Sequence, residues 1–379
     1  MIQLYHRLNH ITKTKIKIKL TKEVIIMANV KIINKVEYEI FNKKVEVIGV
    51  VGEPIDVEIL EEVEGYPVTR IRDFAFENCN TIKTLIISKT IKRIGMEAFV
   101  GCKNLQTIYL PKNIEVLFGQ EWFKRCNNLT SIIVDENNLN YCDVDGVLFN
   151  KNKTVLITYP CGRKEERYKI PSGVRGIYES AFYGCCTLTS IEIPNSVTSI
   201  GYSAFYDCTK LKSVVIPNSV NEIKAQVFSN CKKLKTIKLS NKIKEIPVEA
   251  FAECNNLETI EIPNSVTNIG SSAFYECYKL KEVAMSKSLT KINNFAFYYC
   301  DSLTSIILPN TITNIGESAF QSCGNLISIE LSNNLKYIGD KVFYFSNKLK
   351  EIKLTKEVYT IYSNLFLKIK NNGCKLNFK

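Results

Sequence analysis

The sequence has very little of the residue that most enzymes use for acid–base chemistry. Among 379 residues there are only two histidines, His6 and His10. Mechanisms of the Ser–His or Cys–His type need a histidine beside the nucleophile, so they are excluded from the rest of the chain. Glycine-rich phosphate loops and GxSxG motifs are lacking as well. We therefore predict that the protein is not an enzyme and uses no cofactor.

Metal-binding motifs are also lacking. Zinc sites in proteins typically combine cysteine pairs of the CxxC type, and none of the 14 cysteines forms such a pair. Cys185 and Cys186 are only adjacent in the sequence. The motif HRLNH separates His6 from His10 by four positions, but no carboxylate accompanies them. We expect no metal ion.

No stretch of the sequence approaches the 18 or so apolar residues that a membrane-spanning helix needs. The segment KTKIKIKLTKEVII alternates lysine with isoleucine, whereas a secretory signal needs an uninterrupted apolar stretch of roughly 7–15 residues. Neither of the two candidate start residues, Met1 and Met27, is followed by such a stretch. The residues by themselves therefore predict a soluble, cytoplasmic protein without a transmembrane segment.

Basic residues exceed acidic ones, at 50 against 38, which gives a net charge of +12. This balance permits attraction to nucleic acid, anionic lipid or an acidic protein. Part of the excess forms a stripe of paired lysines at one phase of the sequence: Lys210 and Lys212, Lys233 and Lys235, Lys279 and Lys281, Lys348 and Lys350. No aromatic stacking platform is interleaved with the stripe, so nucleic acid is the less favoured partner. A solvated face is the main interpretation, and an acidic protein or another polyanion is the alternative.

Phenylalanine recurs at a fixed spacing through most of the chain. The step is 23 residues from Phe182 onward, with one earlier gap of 59. Leucine stands six residues after most of these phenylalanines, and aliphatic residues stand nine and eleven residues after them. Self-similarity at such a period is the signature of a repeat architecture. The recurring residues are Phe76, Phe99, Phe123, Phe182, Phe205, Phe228, Phe251, Phe274, Phe297, Phe320, Phe343 and Phe366.

Each repeat is too short to bury its own apolar face, but stacked repeats can do so. SIEIP and its copies alternate polar with apolar residues, which predicts a strand with one buried face. VTSIG predicts a second short extended piece, and SAFYDC predicts one to one and a half turns of helix with a serine N-cap. We therefore predict an α/β solenoid of the leucine-rich-repeat kind. This is a right-handed coil with a parallel sheet on the concave side and short strands and helical turns on the convex side.

The repeat LTSIEIPNSVTSIGYSAFYDC, residues 188–208, resembles the unit of the BspA-like leucine-rich repeat family, LxxLxIPxSVxxIGxxAFxxC. The resemblance covers roughly residues 66–366, and EGYPVTRIRDFAFENC, residues 64–79, is similar to the way such arrays begin. It implies a protein-binding role of the kind associated with this family, namely surface display and adhesion to host or matrix proteins.

We divide the chain into four parts. Residues 1–35 form a basic N-terminal segment, 36–65 an N-terminal β cap, 66–366 the solenoid and 367–379 a C-terminal cap. GVLF and TVLITY predict a β-hairpin inserted into the solenoid at about residues 135–169, as in other BspA-like proteins. We interpret this insertion as a structural decoration, with contact to a partner as the alternative.

Ten of the 14 cysteines occupy the same position of the repeat, which indicates a common structural role. Free cysteine behaves as a small hydrophobe, so we interpret the cysteines that follow phenylalanine by three positions as buried, reduced packing residues. Helices at that phase would pack roughly 8–10 Å apart, which exceeds the Cα spacing of a disulfide. The off-phase residues Cys142, Cys161, Cys186 and Cys374 are expected to be more reactive. The ten in phase are Cys79, Cys102, Cys126, Cys185, Cys208, Cys231, Cys254, Cys277, Cys300 and Cys323.

A partner would bind where the strand side chains point outward, ten residues after each phenylalanine. The first three of these positions are apolar or aromatic, which suggests either a contact patch or simple strand propensity. We expect a monomer that binds a protein of unknown identity. The alternatives are an intracellular structural scaffold and, more weakly, a polyanion binder. The candidate partner-binding residues are Ile86, Tyr109, Ile133, Glu192, Val215, Lys238, Glu261, Ile307, Glu330 and Lys353.

Overall fold

The computed structural model describes residues 29–117, 122–371 and 373–379. Most of the predicted basic segment lies outside these residues, as do Met27, His6 and His10. The described chain is a solenoid of about 14 turns built on parallel sheets, which confirms the predicted fold. The division into cap, solenoid and C-terminal segment stays a prediction.

Each turn of the solenoid contributes one longer strand to a face that we call the first sheet. Its strands are the copies of SIEIP, with alternate side chains buried, and neighbours pair in parallel wherever a ladder is formed. They are β4 Asp56–Glu58, β7 Thr84–Ile86, β9 Thr107–Leu110, β11 Ser131–Val134, β15 Arg167–Lys169, β17 Ser190–Glu192, β19 Ser213–Val215, β21 Thr236–Lys238, β23 Thr259–Glu261, β25 Glu282–Ala284, β27 Ser305–Ile307, β29 Ser328–Glu330, β31 Glu351–Leu354 and β32 Lys375–Phe378.

The copies of VTSIG form a second sheet of mostly two-residue strands, which also pair in parallel. Every strand of this sheet except β10 ends in a buried isoleucine, so the sheet covers a second side of the core. Its strands are β6 Tyr66–Ile71, β8 Arg93–Ile94, β10 Val116–Leu117, β16 Gly176–Ile177, β18 Ser199–Ile200, β20 Glu222–Ile223, β22 Glu245–Ile246, β24 Asn268–Ile269, β26 Lys291–Ile292, β28 Asn314–Ile315 and β30 Tyr337–Ile338.

The third side, which we call the turn face, is formed by the copies of SAFYDC. These segments form turns and not the predicted helical turn. In SAFYDC, Ser203 and Asp207 adopt left-handed backbone angles, with φ of 49° and 59°. The backbone N–H groups of Ser203 and Phe205 donate to carbonyl oxygens of the next turn of the solenoid, over 3.0 and 2.9 Å. Because these groups bond across turns, no i→i−4 helical ladder can form. Left-handed residues recur at the same two positions in the other repeats.

The phenylalanines stack as a ladder in the core behind the turn face. From Phe182 to Phe343 the ring centroids are 5.0 to 6.1 Å apart and the rings are within 14° of parallel. That step equals one strand spacing, so a single ring fills each turn. Leucine and the strand aliphatics enclose the ladder from the other two sides.

The insertion contains a further turn that the phenylalanine spacing conceals. Tyr159 takes the phenylalanine position there, because its ring stacks on Phe182 at 5.2 Å and its N–H donates to the carbonyl of Ala181. Ahead of it, strands β12 Tyr141–Val144, β13 Val147–Asn150 and β14 Val155–Thr158 form an antiparallel meander, and β14 continues in parallel into β16.

Strand β13 joins the two halves of the core. The buried residues divide into an N-terminal and a C-terminal cluster. Leu148 packs in the N-terminal cluster, whereas Val147 and Phe149 pack in the C-terminal one. Since successive strand side chains point to opposite faces, the hairpin closes both clusters at once.

The two ends of the solenoid differ from its middle. At the N-terminal end, β1 Val30–Ile33, β2 Val36–Phe41 and β3 Lys44–Val50 form an antiparallel meander. β3 then pairs in parallel with β6, and β5 Glu62–Val63 pairs antiparallel with it. At the other end, helices α1 Lys356–Ile361 and α2 Ser363–Asn371 precede β32. Thr355 caps α1 by accepting from the N–H of Val358.

Candidate functional site

The outward positions of the first sheet form a column, as the alternation of the strands predicts, and the inserted hairpin interrupts it between Ile133 and Lys169. Ile86 pairs with Tyr109, and Tyr109 with Ile133, in the strand register. Beyond Ile133 the hairpin intervenes, because the N–H of Ile132 donates to the carbonyl of Gly146. The column resumes with Lys169 opposite Glu192. Most of these side chains are exposed and Glu330 is half-buried. The remaining register pairs are Val215 with Lys238, Glu261 with Ala284, Ile307 with Glu330 and Glu330 with Lys353.

Three neighbouring strands place apolar side chains side by side in this column. Ile86, Tyr109 and Ile133 are 39%, 39% and 36% exposed, and we call them the apolar patch. Adjacent parallel strands lie about 4.8 Å apart, so the three side chains cover a continuous strip. The hairpin strand β12 follows directly on β11, so the patch ends beside the insertion.

The rest of the column carries charges of both signs with two isolated aliphatic residues. Lys169 and Glu192 form an ion pair of 2.8 Å, and Lys379 forms one of 2.8 Å with Glu330. Exposed pairs of this kind contribute about 0–1 kcal/mol, so they leave the charges available to a partner. Glu192, Val215 and Lys238 also line one open groove on this face. Val215 and Ile307 are 59% and 72% exposed.

The lysines of the predicted basic stripe are all exposed. Lys279 donates to the side-chain oxygen of Asn256 over 2.7 Å, and Lys348 donates to that of Asn325 over 2.7 Å. The four lysines at 210, 212, 233 and 235 occupy two neighbouring turns of the solenoid.

Nine of the ten repeated cysteines are buried and donate to a backbone carbonyl, whereas Cys79 in the first repeat is half-buried and contacts the side chain of Thr81. The Cys254 thiol donates to the carbonyl oxygen of Phe228 in the preceding turn over 3.2 Å, and Cys323 donates to that of Phe297 over 3.2 Å. Burial raises the pKa of Cys323 to about 12. A thiol held protonated is a poor nucleophile and a poor metal ligand, so the structure favours a packing role for this ladder.

The separation argument against disulfides was wrong, and so was the expected reactivity of Cys161 and Cys374. Successive phenylalanine rings of the ladder are 5.0 to 6.1 Å apart, a separation within the Cα range of disulfides. Separation therefore does not keep the ladder cysteines apart, although all 14 are free thiols. Burial also raises the pKa of the off-phase Cys161 to about 12 and that of Cys374 to about 11. Of the off-phase cysteines only Cys186 is exposed.

No group of three or more His, Cys, Asp or Glu side chains is placed to hold a metal ion in the part of the chain that the structure describes. No helix within residues 29–117, 122–371 or 373–379 is long and apolar enough to cross a membrane.

The turn face carries aromatic side chains that sequence reasoning missed. Tyr275 and Tyr298 stack at 5.2 Å with ring planes 1° apart, and Tyr183 and Tyr206 stack at 5.0 Å. All four directly follow a ladder phenylalanine. The recurrence of tyrosine one position after phenylalanine in several repeats was the sequence signal that could have revealed these stacks.

The protein is a coil of short parallel strands. A typical turn adds one phenylalanine to the ladder of stacked rings and one leucine to a layer beside it. These features define the leucine-rich repeat class of solenoid proteins. The sequence profile described as BspA type leucine-rich repeat region matches residues 60–162, 158–280 and 244–373, with six copies. The chain therefore belongs to the BspA-type leucine-rich repeat family.

Several solved structures share this architecture. A leucine-rich repeat protein from Eubacterium ventriosum is 22% identical, with a TM-score of 0.58 over 77% of this chain and 94% of that one. A leucine-rich cell surface protein from Faecalibacterium prausnitzii is 23% identical, with a TM-score of 0.55 over 87% of this chain and 96% of that one. One from Bacteroides ovatus is 23% identical, with a TM-score of 0.53 over 92% and 99%. These likenesses establish the fold, and no curated protein matches the sequence.

Proposed function

We propose that this protein is a non-enzymatic interaction module that binds a partner protein through the outward column of the first sheet. In the form that the family resemblance implies, it is an adhesion or host-contact protein. The observation that carries the proposal is the apolar patch, in which Ile86, Tyr109 and Ile133 stand in register and exposed on neighbouring strands. Exposed apolar residues in a contiguous strip favour a contact surface over a merely solvated one.

The chemistry around the patch fits a protein partner. Interfaces combine an apolar or aromatic centre with a polar rim, and tyrosine is enriched among the residues that dominate binding energy. Tyr109 is the central member of the patch, between Ile86 and Ile133. Charged positions such as Glu192 and Lys238 lie on the same sheet face beyond the inserted hairpin and extend the contact surface. Because both signs are present, they favour a partner of matching charge pattern over a simple polyanion.

The test is affinity capture with the full chain, comparing wild type with the double substitution Tyr109→Ala plus Ile133→Ser. The matched control is Ile307→Ser, which removes an exposed isoleucine from the same column outside the patch. We expect the double variant to lose a partner that the control retains, and the affinity of that purified partner to fall by about tenfold or more. An unchanged set of partners would remove the patch from the proposal.

Cell fractionation distinguishes the two settings in which such a module works. Recovery of the protein at the cell surface supports adhesion or host contact. Recovery in the cytosol alone supports the alternative, an intracellular scaffold. Size-exclusion chromatography with light scattering then tests the expected monomer.

A polyanion is the second candidate partner, and the exposed lysines at positions 210, 212, 233 and 235 favour it. Binding through lysines releases counterions and therefore weakens steeply with added salt. We expect substitution of these four lysines by glutamine to lower the salt concentration that elutes the protein from heparin. Equal elution of wild type and variant would dismiss this candidate.

A further inference from the structure

The turn face holds an open cleft near the C-terminal end of the solenoid. It spans three successive turns, those of Phe297, Phe320 and Phe343, and contains about 870 Å³ of empty space. Tyr298 and Tyr344 stand at equivalent positions two turns apart, and Gln321 occupies the position between them. The lining side chains used below are Phe295, Tyr298, Glu317, Gln321, Lys341 and Tyr344.

The aromatic side of the cleft is held rigidly. Tyr298 stacks on Tyr275 at 5.2 Å and meets Phe295 and Tyr299 edge-on at 5.8 and 4.7 Å. On the opposite side, Tyr344 contacts Phe345 at 4.0 Å, and both are about half exposed. Aromatic side chains fixed by their neighbours lose little conformational entropy on binding.

The polar groups of the cleft are mostly unengaged donors. Within the described part of the chain, the side chains of Gln321 and Lys341 make no hydrogen bond or ion pair with another residue. Together with the tyrosine hydroxyls they offer N–H and O–H groups. Glu317 is the only carboxylate of the lining.

The backbone of the Phe320 turn, in the middle of the cleft, cannot pair with an incoming strand. The N–H groups of Ser318, Phe320 and Ser322 already donate to carbonyl oxygens of the next turn, over 2.9, 3.0 and 2.8 Å. Strand addition would need free backbone groups. On this turn a ligand is therefore recognised by side chains.

We propose that this cleft binds a proline-rich peptide segment in the polyproline II conformation. Such segments dock against aromatic grooves, and they carry carbonyl acceptors with no proline N–H donor, which matches a donor-rich lining. The polyproline helix repeats every three residues of 3.1 Å, about 9.3 Å. At these turns the ring centroids of Phe297, Phe320 and Phe343 are 5.3 and 6.1 Å apart. Two turns of the solenoid are therefore about 11 Å apart, close enough to one polyproline repeat for Tyr298 and Tyr344 to contact successive turns of one ligand. Glu317 offers a partner for a basic residue that flanks the prolines.

The test is fluorescence anisotropy of labelled decaproline titrated with the full chain, beside a labelled glycine–serine peptide of equal length. We expect saturable binding of decaproline at concentrations below about 1 mM and none of the glycine–serine peptide. Tyr344→Ala and Tyr298→Ala should each weaken binding about tenfold. Tyr344→Phe should retain most of the affinity because it keeps the ring.

Tyr206→Ala is the matched control, since Tyr206 is also half-buried and stacked on the turn face but lies outside the cleft. It should leave the affinity unchanged. Equal binding of the two peptides, no saturation, or an unaffected Tyr344→Ala variant with wild-type unfolding behaviour would overturn the proposal. Binding of a neutral oligosaccharide instead of decaproline, lost in Tyr344→Ala, would overturn it in favour of a sugar site. The cleft and the apolar patch lie on different faces, so either can fail without the other.

Discussion

The thiol of Cys231 donates a hydrogen bond to the backbone carbonyl oxygen of Phe205, one turn earlier in the solenoid, over 3.2 Å. Both side chains are fully buried or nearly so. The same bond recurs along the ladder, and Ser346 makes it to Phe320 over 2.8 Å where the repeat has lost its cysteine. The cysteine position is therefore a buried donor site as well as a packing site.

Cys231→Ser should preserve this bond, whereas Cys231→Ala should remove it. A net hydrogen bond contributes about 1 kcal/mol, and loss of the sulfur leaves a small cavity as well. We expect the alanine variant to lose about 1–3 kcal/mol of unfolding free energy and the serine variant to lose less. Urea unfolding followed by circular dichroism measures both. A serine variant at least as unstable as the alanine variant would show that the bond contributes nothing.

Thiol accessibility should differ sharply between Cys186 and the ladder cysteines. Cys186 is exposed, whereas Cys254, Cys277 and Cys300 are fully buried with the pKa of each raised by desolvation. We expect a thiol reagent at pH 8 to modify Cys186 rapidly and these ladder thiols only after unfolding. Mass mapping of the modified residues reads this out. Several ladder cysteines recovered as disulfides from freshly isolated protein would contradict the packing role.

Alkaline pH should destabilise the fold through the same thiols. The pKa of Cys323 is raised by burial from 9.0 to about 12, so the folded state keeps the proton that the unfolded chain loses. The stabilisation is complete below about pH 9 and is lost as the pH rises towards 12. Each such thiol lowers the unfolding free energy by about 1.4 kcal/mol per pH unit in that window.

Comparison with Cys323→Ser isolates this contribution from other titrating groups. Between pH 9 and 11 the unfolding free energy of the wild type should fall more steeply than that of the variant. Parallel pH profiles would mean that Cys323 ionises equally easily in both states.

The left-handed positions of the turn face offer a stabilising substitution. Glu253 has φ of 59°, and glycine occupies the same phase at Gly101 and Gly184. A left-handed residue with a Cβ is strained by roughly 1–2 kcal/mol, and the greater chain entropy of unfolded glycine offsets part of the gain. We expect Glu253→Gly to raise the unfolding free energy by up to about 1 kcal/mol. Glu253→Ala, which keeps the Cβ, is the control and should give no such gain.

The hairpin should couple the two halves of the solenoid through Leu148. This residue is fully buried, and a Leu→Ala change at such a site costs about 2–5 kcal/mol. We expect Leu148→Ala to destabilise the protein by that amount and to separate the unfolding of the N-terminal and C-terminal clusters. Leu139→Ala is the matched control because Leu139 lies 81% exposed. A single cooperative transition at the wild-type midpoint would contradict the coupling.

The period of the sequence determined the solenoid, its core and its outward column, because a stack of identical turns repeats every contact at one spacing. Phe205 and Leu211 are buried for the same reason as their copies in the other turns. In the same way, the alternation along each strand placed Tyr109 beside Ile133 without further information. The resemblance to the BspA-like family rests on the same repeated positions.

Only the tertiary structure decided the conformation of the turn face and what it brings together. Serine, glutamate, phenylalanine and lysine all occupy its left-handed positions, so no residue type signals them, and the bonds between turns impose the angle. Tyr159 was concealed because the inserted hairpin lengthens the preceding step. Tyr298 and Tyr344 are 46 residues apart in the sequence and become the two sides of one cleft because the solenoid stacks their turns.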